Sequence, residues 1–159
     1  MRKQINVTRR EFQVSCKNHY YVYKNIDDSV SPRTRRLLLF YSVESGLKSL
    51  IMKEIGKNTY EELKKYSEDN QKRVHGHDLK AMTQEIGIEQ KYPLKKIRLA
   101  KEGQDVTPDR YNELWRYGAP VADKEEEIKE EKTLQRIAEC IANVNSEMGD
   151  MGIKSSLCE

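Results

Sequence analysis

Long apolar runs are what this chain most plainly lacks. Hydrophobic residues make up 36% and charged ones 35%, and no stretch approaches the ~18 apolar residues of a membrane helix. The opening Met1-Arg2-Lys3-Gln4-Ile5-Asn6 has no apolar segment after its charges, which argues against a secretion signal. A cytoplasmic protein with no membrane contact is the expectation. Cysteine is sparse: Cys16, Cys140 and Cys158 are far apart and no C-x-x-C pair exists, which excludes a zinc knuckle and a thioredoxin-like site and predicts three reduced thiols. No Gly-rich phosphate loop, G-x-S-x-G elbow or H-E-x-x-H is present. Period-2 strands of useful length and internal repeats are missing too. No cofactor is implied.

What is there fits one domain. The 159 residues suffice to bury a single core. We expect residues 1–149 to form a single helical domain and residues 150–159 a flexible C-terminal tail. Charge is unevenly spread: residues 1–36 carry nine Lys/Arg against three Asp/Glu, and residues 123–159 carry five against ten. Such asymmetry points to an oriented partner, to contact of the basic front with the chain's own acidic end, or simply to two solvated faces.

Helix punctuation is legible. Thr8-Arg9-Arg10-Glu11 reads as a capping box, followed by Phe12, Cys16, Tyr20 and Tyr23 at helical spacing, which predicts a helix over 8–25. Ser31-Pro32 is a cap followed by the residue best tolerated at the first helical position. From Leu37 to Ile55 apolar residues fall on more than one face, as in a central buried helix closed by Gly56. Thr59-Tyr60-Glu61-Glu62 is a second capping box. Asp78 or His77 caps a helix carrying Leu79, Met82 and Ile86, stopped by Gly87. Residues 88–106 read as a mixed loop with a helical turn at Leu94–Ala100. Thr107-Pro108 opens a short helix with Tyr111, Leu114 and Trp115, ended by Gly118. Asp123 and Glu126 make a third capping box, and the last helix runs toward Met148 with Gly149 as its stop. The fold class is all-α.

Four groups could carry chemistry. His75-Gly76-His77 offers two imidazoles, either to a metal or as a loop with a helix cap; no full set of three or four ligands accompanies them, so no metal is expected. Glu44 and Lys48, at i and i+4, are either a surface pair or an inward pair. Arg33, Arg35 and Arg36 crowd a helix N-terminus, where cations oppose the dipole. A bound phosphate, with Arg9 and Arg10 joining in, or an acidic protein is one reason for them, and solubility is the other. Arg116 and Tyr117, before a glycine, either face a groove or complement a helix C-terminus. His19 falls along the apolar stripe of the first helix and reads as packed.

Three pieces, taken in order, resemble the HEPN family of small helical proteins. They are Leu38-Leu39-Phe40-Tyr41-Ser42-Val43-Glu44-Ser45-Gly46-Leu47-Lys48-Ser49-Leu50-Ile51, then Gly76-His77-Asp78-Leu79, then Arg116-Tyr117. The resemblance spans about residues 8–145. It implies a bundle of about five helices, dimerisation, and a place in toxin–antitoxin, antiviral or RNA-processing systems. Many such proteins are metal-independent ribonucleases with an arginine followed after four to six residues by a histidine. Arg116 has no histidine after it. The expectation is therefore a non-catalytic or divergent HEPN-like module that binds RNA, DNA or an acidic protein, without ribonuclease activity. The alternatives are a ribonuclease built from His77, Arg116, Tyr117 and Glu44, and a structural helical adaptor.

Overall fold

The computed structural model describes residues 4–146. The expected tail at 150–159, with Gly149 and Cys158, lies outside the described residues. Six helices are present: α1 (Arg9–Asn25), α2 (Pro32–Glu54), α3 (Tyr60–Asp69), α4 (Leu79–Ile86), α5 (Tyr111–Tyr117) and α6 (Lys124–Ser146). The architecture is thus predominantly helical, with one helix more than the resemblance implied. Two residues each of β1 (Ile97–Arg98) and β2 (Asp105–Val106) pair antiparallel, Ile97 with Val106 and Arg98 with Asp105.

Local chemistry accounts for the helix starts. Thr8 with Glu11 and Thr59 with Glu62 each form a reciprocal capping box, Ser31 caps Arg33 N, and Asp78 caps Ala81 N. Gly87 and Gly118 close α4 and α5 in the left-handed conformation. The third capping box does not form. Asp123 accepts from Glu125 N at 2.9 Å, but Glu126 turns to Arg98, 2.6 Å from its Nε. An available guanidinium outbids a backbone amide for that carboxylate. The helical turn expected at Leu94–Ala100 is extended instead. Ile97 is buried and Arg98 exposed, a period-2 pattern that pairs with β2 and, through Ala100 N to Pro120 O and Ala122 N to Arg98 O, with the approach to α6.

Helix α2 is the axis of the molecule. It packs against α1, α4, α5 and α6, so from Ser42 to Met52 every residue is buried. Neighbours in the same chain cover its apolar faces. Helix α1 runs antiparallel beside it, because His19, Ser15 and Phe12 meet Tyr41, Ser45 and Lys48 in reverse order. The small residues Ser42, Ser45, Gly46 and Ser49 permit the close approach. A Cβ on Gly46 would lie 2.7 Å from Cys16 Sγ and 2.9 Å from Ile141 Cδ1. Gly46→Val is expected to lower stability by about 2–3 kcal/mol through overpacking, seen as a lower urea midpoint at unchanged slope.

The acidic end meets the basic front inside one chain. Arg36 donates to Glu127 at 2.6 Å and to Glu131 at 2.8 Å, and Tyr23 donates to Glu131 at 2.8 Å. Trp115, in the core as expected, donates its Nε1 to Glu127 at 3.1 Å. Among the described residues no helix is long and apolar enough to cross a membrane. Cys16 is a buried free thiol, and Cys140 is buried on α6.

Candidate functional site

Successive helical residues turn by about 100°, which sorts α2 into faces. Ser42 and Gly46 face Cys16 of α1; Phe40 and Glu44 face His77, just before α4. Between these directions lies a seam carrying Tyr41, Glu44, Ser45 and Lys48. It is a polar face within the buried middle of the helix, and α1 borders it on one side while α4 and α5 border it on the other.

Glu44 and Lys48 turn inward. They are only 8% and 5% exposed, and Lys48 Nζ lies 3.8 Å from Glu44 Oε2. The ammonium also sits over the rings of Phe12 and Tyr60, at 5.7 and 5.9 Å from their centroids. Burial holds Lys48 below the ordinary lysine pKa, with Glu44 opposing that shift. The second oxygen of Glu44 accepts a hydrogen bond from His77 Nδ1. Among the described residues Nε2 of His77 has no hydrogen-bond partner, on a ring whose side chain is 52% exposed. One helical turn away on α2, Tyr41 Oη accepts from Arg116 Nη2 at 2.9 Å. Arg116 is exposed and lies over the ring of Tyr117, which is 75% exposed. The four candidates His77, Glu44, Arg116 and Tyr117 therefore converge on one seam although up to 73 residues separate them in the chain.

The five arginines expected to form one contact face do not. Arg9 and Arg10 open α1, whereas Arg33, Arg35 and Arg36 open α2, at the opposite end of an antiparallel pair about 25 Å long. Arg36 is held by Glu127 and Glu131 with a side chain only 13% exposed. Arg35 lies over the Tyr23 ring and 3.7 Å from Asp28, and Arg33 donates to Ala119 O at 2.9 Å beneath the end of α5. Acceptors within the chain thus answer Arg33 and Arg36, while Arg35 Nε is buried with no hydrogen-bond partner among the described residues.

His75 and His77 do not act together. His75 Nδ1 lies 2.8 Å from Ser67 Oγ, and burial lowers its pKa. Among the described residues no three His, Cys, Asp or Glu side chains converge as a metal site would require. His19, expected to be packed, and Ser15 and Tyr41, given no chemical role by the sequence, also belong to this seam. His19 is half-buried, but it faces the seam rather than the core: its ring meets Tyr41 edge-on at 5.9 Å and its Nδ1 donates to Ser15 O at 2.8 Å. The signal was the i, i+4 spacing of Ser15 and His19, a second stripe about 100° from the Cys16–Tyr20 one.

No family description matches the chain, and neither a curated protein nor a solved structure does.

Proposed function

We propose that the chain is a divergent HEPN-like module that binds RNA along the α2 seam and cleaves it without a metal ion. The observation that carries this reading is an exposed, carboxylate-oriented imidazole and an exposed guanidinium held by Glu44 and Tyr41, two residues about one turn apart on α2. A phosphodiester resting over Tyr41 meets Arg116 as its charge partner, and Tyr117 offers a face for a base. Nε2 of His77 is placed to take the proton of the ribose 2′-hydroxyl. The 2′-oxygen then bonds to phosphorus and the 5′-oxygen leaves, giving a 2′,3′-cyclic phosphate. Arg116 holds the charge that develops on the non-bridging oxygens. Glu44 sets the tautomer of His77, and Lys48 pairs with the other carboxylate oxygen of Glu44 at 3.8 Å. The resemblance adds the rest: dimerisation and a role in a defence or toxin–antitoxin system.

This departs from the non-catalytic expectation because the sequence offered no reason for His77 and Arg116 to lie near one another. Purified protein incubated with single-stranded RNA in chelator is expected to release cyclic-phosphate ends. DNA of the same sequence, without a 2′-hydroxyl, should stay intact. His77→Asn, whose side-chain amide still donates to Glu44, should slow cleavage by ~10²–10⁴, and Arg116→Ala by ~10²–10³. RNA that binds in a salt-dependent way but remains uncut would return the chain to the non-catalytic binding reading.

A further inference from the structure

The reaction just described leaves one proton unaccounted for. In an in-line displacement the attacking and leaving oxygens lie on opposite sides of phosphorus. His77, taking the 2′-hydroxyl proton on one side, cannot also protonate the departing 5′-oxygen in the same step. An acid is needed on the far side.

Across the seam stands His19. It projects from α1, on the side of Tyr41 away from His77, with its ring edge-on to Tyr41 at 5.9 Å. Tyr41 in turn holds Arg116, so a phosphate on the Arg116 guanidinium has an imidazole on either hand. The orientation of His19 is set by its partners. A carbonyl only accepts, so Nδ1 carries a hydrogen toward Ser15 O, and the same nitrogen lies 3.1 Å from Ser15 Oγ. Ser15 Oγ is anchored in its turn by Ser45 Oγ of α2 at 3.2 Å. Nδ1–H donates to the carbonyl in both the neutral and the charged ring. Nε2 can therefore gain or release a proton without the ring turning. The other ionisable groups along this seam are Tyr41 and Arg116 beside His19, and Glu44, Lys48 and His77 further along α2.

We propose that His19 is the general acid of this site, passing its Nε2 proton to the 5′-oxygen as the P–O5′ bond breaks. The proposal rests on the ribonuclease reading. Proton balance closes on the two histidines: His77 ends protonated, His19 ends neutral, and exchange with solvent resets both before the next turnover.

The test uses the full chain and two short RNA substrates, one natural and one with sulfur in place of the bridging 5′-oxygen. The thiolate leaves without needing a proton, so it bypasses the acid. His19→Asn keeps a side-chain N–H for Ser15 O and cannot act as an acid. It is expected to slow natural RNA by ~10²–10³ while cleaving the sulfur substrate within about threefold of wild type. His77→Asn should slow both. The wild-type pH–rate profile should be bell-shaped, and His19→Asn should lose its alkaline limb. If His19→Asn cuts natural RNA like wild type, or loses both substrates equally, His19 is not the acid, and the His77 reading stands or falls by its own variant. A wild-type protein that cuts neither substrate overturns the ribonuclease reading and this assignment with it.

Discussion

Replacing Glu44 with alanine is expected to destabilise the fold by about 3–5 kcal/mol, the cost of leaving one partner of a buried ion pair unmatched. Lys48 would keep its burial, at 5% exposure, and its aromatic neighbours Phe12 and Tyr60, but lose its only carboxylate partner in the seam. In a chain of this size that corresponds to a fall in melting temperature of roughly 6–20 °C. The pH dependence has a definite sign. Burial already lowers the Lys48 pKa from the ordinary 10.5, and removing Glu44 deletes the interaction that opposes the shift. The folded variant then binds that proton less tightly than the unfolded chain does. Its stability must rise with pH between the lowered folded value and the ordinary lysine value. The deficit of Glu44→Ala against wild type should accordingly shrink as pH rises toward the ordinary lysine value. A second variant separates charge from packing: Glu44→Leu with Lys48→Met removes both charges and should recover most of the lost stability. If the double variant is as unstable as the single one, the pair is not what holds this part of α2. Thermal melts at pH 7 and near pH 10 decide the matter.

Arg36→Ala should cost about 3 kcal/mol, and here two effects of opposite sign compete. Removing a cation from the first turn of α2 relieves an unfavourable dipole interaction worth ~0.3–1 kcal/mol. Removing the partner of Glu127, only 4% exposed, and of Glu131 leaves carboxylates that Trp115 and Tyr23 satisfy only in part. The second effect is several times larger, because the guanidinium makes two charge-assisted bonds in a nearly dry place. The dipole interaction taken alone gives the reverse sign, because losing a cation at a helix N-terminus leaves stability unchanged or raises it. Arg33, whose single bond goes to a backbone carbonyl, should cost less than Arg36 on truncation. Chemical denaturation of the two single variants, ranked against wild type, tests the order. An Arg36→Ala protein as stable as wild type would show that α6 does not depend on this link.

Both results turn on a contrast visible throughout the chain. Interactions confined to a few neighbouring residues could be read directly. The Thr8–Glu11 and Thr59–Glu62 boxes, the Ser31-Pro32 start, the Asp78 cap and the glycines after α4 and α5 all work within one helical turn. Their chemistry is the same wherever the helix ends up. The inward position of α2 was legible for a related reason: apolar residues on more than one face have to be covered by something. Where reading failed, a distant group had outbid the local one. Glu126 left its capping box for Arg98, and Lys95 to Arg98 became extended because β2 and the approach to α6 offered hydrogen bonds.

By itself, then, the sequence determined the helices, most of their ends, the central place of α2, and which residue types were able to do acid–base or phosphate chemistry. The tertiary structure alone decided which of those residues meet. Glu44 and His77 are 33 positions apart, Tyr41 and Arg116 are 75, and Arg36 and Glu127 are 91. No local energy term relates residues at such separations. Their encounters follow from how α1, α4, α5 and α6 pack around α2, which the small Ser42–Gly46–Ser49 stripe and the buried core set jointly. That packing turned His19 from a residue on an apolar stripe into one wall of the seam, and turned Arg33 and Arg36 at a helix start from an open face into internal fastenings.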